Sequence, residues 1–246
     1  MTQPVMVVAV DGPSASGKST VSRGVAKALD FHYVDSGAMY RAVTWKALEE
    51  GVDPGDTLQL LALLPRLKIR FEIVEHEARM LLDGKYPGPA IREPRVEQKV
   101  SIVAAVPEVR QLLVQQQRSL TQFGSLVMEG RDIGSVVFPD TPFKFYIDAD
   151  PAVRAQRRQR DFAAMKIAAS GEGVAESLRR RDRLDSQRAV APLQIALGAT
   201  VIDNSKNTAQ QTIDQIVRAV TATEIRNPKP SPRDLRSKSE IRNKHE

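Results

Sequence analysis

The chain has 246 residues, of which 41% are apolar and 27% charged, as expected for a globular protein with one large domain or one domain carrying an inserted lobe. It contains no cysteine, which excludes disulfides, cysteine-ligated zinc, iron–sulfur clusters and a thiol nucleophile, and its three histidines lack metal-ligand spacing. The net charge is +6, but residues 226–246 contribute seven basic and three acidic side chains, so the remaining body carries only +2.

The first predicted elements are a strand, a glycine-rich loop and a helix. Residues 5–10 are a continuous apolar run, typical of a strand buried on both faces of a parallel sheet. From Lys18 the apolar residues recur at helical spacing. The loop between them fits G-x-x-x-x-G-K-S, a pattern that binds phosphate through backbone N–H groups, a helix N-terminus and the lysine. The predicted nucleotide-binding residues are Gly12, Pro13, Ser14, Ala15, Ser16, Gly17, Lys18, Ser19 and Thr20.

Strands and helices then alternate, with a strand at residues 31–35 and a helix at 36–51, which predicts an α/β fold with a doubly wound sheet. Short strands at 67–74 and 78–84 and a proline-rich connection at 85–95 interrupt this alternation and indicate an inserted lobe. The pattern then resumes with a helix at 108–123, strands at 125–130 and 143–150, a helix at 151–161, a flexible turn at 170–173, a helix at 174–188, a strand at 199–205 and a helix at 208–220.

Several charged residues occur where a phosphate ligand could use them. Arg154, Arg157 and Arg158 share one helical face, and so do Arg181, Asp185 and Arg188; from spacing alone, a solvated basic face is the favoured explanation of both sets. Glu129, Arg131 and Asp132 follow a buried strand, where open α/β sheets bind ligands. Glu129 could hold a Mg²⁺-bound water or cap the next turn. Ser36 and Arg41 begin the second helix, and Arg41 could clamp a phosphate or lie on the surface.

Together these segments resemble the bacterial cytidylate kinases, a family of nucleoside monophosphate kinases. The resemblance covers residues 4–220 and rests on five segments in the family's order and spacing: DGPSASGKST, DSGAMYRA, IREPRVEQKVSIVAAVPEVRQLLVQQQR, EGRDIGSVVFPD and RRRDRLDSQRAVAPL. It implies a P-loop NTPase three-layer sandwich with a central parallel sheet. Residues 1–58 and 107–221 would form the core, 59–106 an inserted lobe that binds the nucleoside monophosphate, and about 154–188 a helical lid. A disordered basic tail at 222–246 lies outside the resemblance.

The resemblance also implies the activity and the role of each residue. The expected reaction transfers the γ-phosphoryl group of ATP to CMP or dCMP, with Mg²⁺ held by Ser19 and Glu129, and Lys18, Arg154, Arg157 and Arg158 as the catalytic cations. Ser36, Arg41, Arg131 and Arg188 would surround the acceptor phosphate. Ser101, Arg110 and Asp132 would read the cytosine, and Arg181 with Asp185 would hold the sugar.

Two other classes of function share some of these features. Another small-molecule P-loop kinase, acting for instance on shikimate or dephospho-coenzyme A, would have the same loop but would not need a base-reading lobe. A P-loop switch or nucleic-acid regulator is suggested by the basic tail, but the N-K-x-D guanine motif is absent and the body carries only +2. We therefore expect a cytoplasmic monomer without a membrane or specific nucleic-acid partner; the tail is left as a solubilising appendage or a weak binder of anions.

Overall fold

The structure of the protein is a computed structural model that describes residues 5–164 and 170–226. Its strands are β1 (Val7–Asp11), β2 (His32–Asp35), β3 (Ile69–Val74), β4 (Glu77–Leu82), β5 (Leu126–Gly130), β6 (Phe143–Asp148) and β7 (Thr200–Asp203). They form one seven-stranded sheet in the order β3-β4-β2-β5-β1-β6-β7. All neighbours are parallel except β3 and β4, which pair antiparallel. The predicted α/β class with a central, mostly parallel sheet is confirmed.

Helices cover both faces of the sheet. They are α1 (Lys18–Leu29), α2 (Ser36–Glu49), α3 (Thr57–Leu63), α4 (Pro94–Val103), α5 (Pro107–Ser119), α6 (Pro151–Ala164), α7 (Gly171–Ser186) and α8 (Ala209–Arg226). Successive β1 residues alternate between the two faces, as strand geometry requires. Val8 and Val10 pack with Val21 of α1 and Ile216 of α8, whereas Ala9 packs on the opposite side. The fold is therefore a three-layer sandwich.

The segment predicted as an inserted lobe, 59–106, contains more helix than its sequence indicated. The β3–β4 hairpin extends one edge of the sheet, where β4 pairs with β2 through Tyr33 and Glu77. Helices α3 and α4 were not predicted. Asp56 caps α3 by accepting a hydrogen bond from the Gln59 N–H at 3.1 Å, and α4 begins at Pro94, a position that needs no N–H donor. One apolar cluster joins this segment to α2 and α5.

Two boundaries differ from the prediction. The predicted flexible turn at 170–173 is wrong, because Ser170 caps α7 and its hydroxyl accepts a hydrogen bond from the Gly173 N–H at 3.2 Å. Helix α8 continues to Arg226, five residues into the predicted tail, since no proline or glycine interrupts the sequence before Pro228. Residues 227–246 of that tail lie outside the described residues.

The turn from β1 into the glycine-rich loop depends on Gly12. This residue has φ +145°, and a Cβ atom there would lie 2.1 Å from the Ile147 carbonyl oxygen. We expect Gly12→Ala to lower the free energy of unfolding by about 3 kcal/mol or more, through backbone strain and overlap together. Gly198→Ala is the matched control: its φ is +77° but nothing lies within 4 Å of the added atom, so only about 1 kcal/mol of strain is expected. Urea unfolding of both variants would measure the difference, and equal losses would contradict the packing explanation.

Candidate functional site

The carboxyl ends of the central strands open into a cleft of about 560 Å³. Six of the nine predicted loop residues line it: Ser14, Ala15, Gly17, Lys18, Ser19 and Thr20. Eight of the nine residues predicted for the acceptor also line it: Arg41, Ser101, Arg110, Arg131, Asp132, Arg181, Asp185 and Arg188. The structure thus brings together residues separated by up to 174 positions, from Ser14 to Arg188.

The cleft carries an excess of positive charge. Its described lining contains ten lysine and arginine side chains and six aspartate and glutamate side chains. Three of the arginines, Arg41, Arg181 and Arg188, each have a buried side-chain N–H group without a hydrogen-bond partner. Buried donors of this kind are costly unless a ligand satisfies them, and guanidinium groups match phosphate oxygens in geometry and charge. The cleft is therefore suited to an anionic ligand with several phosphate groups.

The glycine-rich loop is fixed by bonds from distant residues. Arg157 donates hydrogen bonds to the Ser16 carbonyl at 3.0 Å and the Asn204 carbonyl at 2.8 Å. The Asn204 amide also donates to the Ser16 carbonyl at 2.8 Å, and Thr212 donates to the Asn204 side chain at 2.8 Å. Asn204 was missed by sequence reasoning, although its position directly after β7, at the ligand-binding edge of the sheet, was a usable signal. These bonds preorganise the loop backbone for phosphate.

Lys18 is buried at the base of the cleft, where its ammonium group donates to the Pro13 carbonyl at 2.7 Å. Burial and the neighbouring Arg131 lower the pKa of Lys18 to about 7. At pH 8 the amine of the free protein is therefore mostly neutral. A polyphosphate bound beside it would favour the ammonium form and raise the pKa.

This arrangement makes phosphate binding consume a proton. At pH 8, where the terminal phosphate of ATP is almost fully ionised, we expect the binding of ATP, the ligand that the sequence predicts, to take up protons, and its affinity to fall as the pH rises above 7. Titration calorimetry in two buffers with different ionisation enthalpies would measure the uptake. Lys18→Gln should abolish it. Identical heats for the unmodified protein in both buffers would contradict the assignment.

Glu129 lies at the end of β5, is buried, and accepts a hydrogen bond from the Tyr33 hydroxyl. Burial and the nearby Asp35 raise the pKa of Glu129, whereas Lys18, Tyr33 and Ser19 act in the opposite direction. Arg23 lies over the Tyr33 ring at 4.2 Å from its centroid and pairs with Glu77, which fixes the tyrosine. Ser19 and Glu129 therefore adjoin one another beside the loop lysine.

This pair is chemically suited to Mg²⁺. In phosphate sites Mg²⁺ uses one or two oxygen ligands from the protein and completes its octahedron with phosphate and water. The Ser19 hydroxyl and the Glu129 carboxylate supply such oxygens. Within residues 5–164 and 170–226, no group of three or more His, Cys, Asp or Glu side chains could hold a metal ion.

Asp132 follows β5 and also lines the cleft. Its carboxylate pairs with Arg110, which also donates to the Ala104 carbonyl at 3.2 Å; both side chains are buried. Asp11, another residue that sequence reasoning missed, accepts hydrogen bonds at 2.8 Å from the Ile133 and Gly134 N–H groups, directly after Asp132. The end of β1 thereby fixes the turn that presents Asp132 to the cleft.

Most of the remaining residues predicted to bind the acceptor are held by ion pairs. Asp35 caps α2 and binds Arg41 at 2.7 Å. Burial alone would raise the pKa of Asp35, but Arg41 and Arg92 outweigh it, so the pKa lies below its usual value. Arg131 binds Asp185 at 2.9 Å and thus joins the β5 end to α7. Arg188 donates to the Asp185 carbonyl at 3.2 Å. The arginines are held at fixed positions by these partners.

Outside the glycine-rich loop, two predicted site residues do not line the cleft. The Ser36 hydroxyl donates to the Glu129 carbonyl at 2.6 Å and so supports the end of β5. Arg154 is buried and donates to the carbonyls of Ala149 and Ser14 and to Asp182, at 3.1, 3.3 and 2.6 Å. Arg158 lines the cleft and pairs at 3.0 Å with Glu97, a third residue that sequence reasoning missed.

The comparisons with known proteins agree with this geometry. The family model described as "Cytidylate kinase" matches residues 8–222. A cytidylate kinase of Caldanaerobacter subterraneus subsp. tengcongensis is 39% identical over 213 residues, which are 87% of this chain and 93% of the relative. Cytidylate kinases of Pelotomaculum thermopropionicum and Limosilactobacillus reuteri are 42% and 41% identical, over 87% and 88% of this chain and 96% of each relative. In the part of the chain that the structure describes, no helix has the length and apolar character to cross a membrane.

Proposed function

The chain belongs to the cytidylate kinase family and is a phosphotransferase, and from this premise we propose how its cleft transfers the γ-phosphoryl group of ATP to CMP and dCMP. The glycine-rich loop and Lys18 bind the phosphates of ATP. Arg41, Arg131 and Arg188, which line the same cleft, bind the phosphate of the monophosphate. The single observation that carries this assignment is the set of buried, unpartnered guanidinium N–H groups on Arg41, Arg181 and Arg188, which line the same cleft as the phosphate loop.

The transfer needs positioning and positive charge more than covalent chemistry. The acceptor phosphate is ionised near pH 7, so no general base is required. In-line transfer places negative charge on the equatorial oxygens of the moving phosphoryl group, and fixed cations stabilise that charge. Lys18 supplies one cation from the loop. Arg157 donates to the Ser16 carbonyl and so holds the loop backbone. Arg158 pairs with the Glu97 carboxylate instead, and we assign to Arg158 the role of exchanging that carboxylate for the transferred phosphoryl group.

The other residues select the acceptor. Asp132, oriented by Arg110 and the turn that Asp11 fixes, accepts a hydrogen bond from the exocyclic amine of cytosine, which uracil lacks. Ser101 and Arg110 contact the same base, and Arg181 with Asp185 holds the sugar. We assign the monophosphate to the lobe at 59–106 and the lid to about 154–188. We propose that the protein carries out this reaction as a monomer in the cytoplasm.

Mg²⁺ would be held by Ser19 directly and by Glu129 through water, and when bound it neutralises charge on the ATP phosphates. The Tyr33 hydroxyl donates a hydrogen bond to the Glu129 carboxylate and so keeps it oriented beside Ser19. Glu129→Gln should therefore raise the Mg²⁺ concentration needed for half-maximal rate about tenfold or more. Glu72→Gln, which changes an exposed carboxylate on β3, is the control.

A panel of acceptors tests the proposal. Purified protein with MgATP is supplied in turn with CMP, dCMP, UMP, AMP and shikimate, and ADP release is followed in a coupled assay. We expect CMP and dCMP to give the highest kcat/KM. A preference for shikimate or AMP would contradict the proposed acceptor, and EDTA should stop the reaction until Mg²⁺ is restored.

A further inference from the structure

Glu97 joins three helices that line the cleft. It lies on α4, and the same carboxylate oxygen accepts from Arg181 of α7 at 2.8 Å and from Arg158 of α6 at 3.0 Å. The Glu97 side chain is only 13% exposed. A single oxygen thus holds guanidinium groups from two lid helices.

The surroundings keep this carboxylate ionised. Burial would raise the pKa of Glu97, but Arg181, Arg41, Arg158 and Arg92 together lower it. The two lid arginines are otherwise weakly held. The Arg181 Nε–H has no partner, and the Arg158 guanidinium carbon lies 4.5 Å from the centroid of the Phe162 ring. Without an anion between them, these like charges would repel each other and lose their fixed orientation.

We propose that Glu97 is a positioning residue that holds Arg158 and Arg181 toward the cleft before the nucleotides bind. This inference rests on the proposed function, since it makes Glu97 a stand-in for the nucleotide groups that these two arginines later contact, phosphate for Arg158 and the sugar for Arg181. Long arginine side chains have many rotamers, so orienting them in advance lowers the entropy lost when the transferred phosphoryl group is stabilised. The effect acts on the chemical step more than on the binding of CMP.

Three variants test this role. Glu97→Gln keeps the size and removes the charge, Glu97→Asp keeps the charge, and Glu93→Gln removes an exposed carboxylate of the same lobe that pairs with Arg95 at 2.6 Å. We expect Glu97→Gln to lower kcat about tenfold while the KM for CMP changes less than about threefold. Glu97→Asp should recover part of the loss, and Glu93→Gln should match the unmodified protein. A loss no larger than that of Glu93→Gln would overturn the proposal.

A double-mutant cycle separates positioning from general damage. Arg158→Gln should lower kcat less in the Glu97→Gln background than in the unmodified protein, because the arginine is already misdirected there. If the losses in kcat of the two single variants simply multiply in the double variant, the positioning role of Glu97 is contradicted. As a readout that needs no turnover, amide hydrogen exchange around Arg158 and Arg181 in the unliganded protein should be faster in Glu97→Gln than in Glu93→Gln. Equal exchange would overturn the proposal. Failure of the unmodified protein to phosphorylate CMP would refute the proposed function instead, and the exchange result would still decide about Glu97.

Discussion

Replacing Lys18 with alanine is expected to reduce kcat about 1000-fold with every acceptor. The Lys18 ammonium group lies buried beside Glu129 and the loop carbonyls, where it meets the phosphates of ATP. Removing one preorganised donor from such a site typically costs 10²- to 10³-fold in rate, and here the lost group is charged. Because Lys18 contacts ATP and not the acceptor, kcat should fall by the same factor with CMP and with UMP.

Steady-state kinetics with both acceptors would measure this loss, and a CMP-binding titration would show that the acceptor side is intact. Lys27→Ala is the matched control, since Lys27 lies in the last turn of the same helix and is exposed. It should leave kcat unchanged. A Lys18→Ala protein that keeps a tenth of its activity would show that the loop lysine is not central to the transfer.

Replacing Asp132 with alanine is expected to change selectivity rather than abolish turnover. The ratio of kcat/KM for CMP to that for UMP should fall about 100-fold. That factor corresponds to about 3 kcal/mol, the upper range for a hydrogen bond to a charged group. The change also leaves Arg110 buried without its carboxylate, which should lower the free energy of unfolding by about 3–5 kcal/mol.

The ratio is the appropriate readout, because a loss of folded protein affects both acceptors equally and cancels. Asp161→Ala removes an exposed carboxylate from the same cleft and should leave the ratio unchanged. Equal losses for CMP and UMP in Asp132→Ala would contradict the base-reading role and confine Asp132 to orienting Arg110.

The loop and the order of strands and helices could be predicted because their signals are local. Gly12, Gly17 and Lys18 lie within seven consecutive residues, between an apolar strand and an amphipathic helix. Helices α3 and α4 were missed because their short apolar patterns lie among prolines and depend on the apolar cluster shared with α2. Their stability comes from tertiary packing, which periodicity alone does not reveal.

The residues that hold the site together were harder to predict. Asn204 binds Ser16 across 188 positions, and Asp11 binds Ile133 across 122. Nothing in either local sequence indicates these partners. Spacing also groups Arg154 with Arg157 and Arg158, but Arg154 turns inward to Asp182 and does not line the cleft. The catalytic role assigned to Arg154 therefore stays a prediction.

The central claim is that the cleft moves a phosphoryl group from ATP to CMP and not to water. Its most direct test is the simultaneous chromatographic measurement of ADP and CDP in one reaction with MgATP and CMP. If ATP and CMP react together in this cleft, we expect one CDP for each ADP, with little ADP formed when CMP is omitted. ADP released without CDP would contradict it.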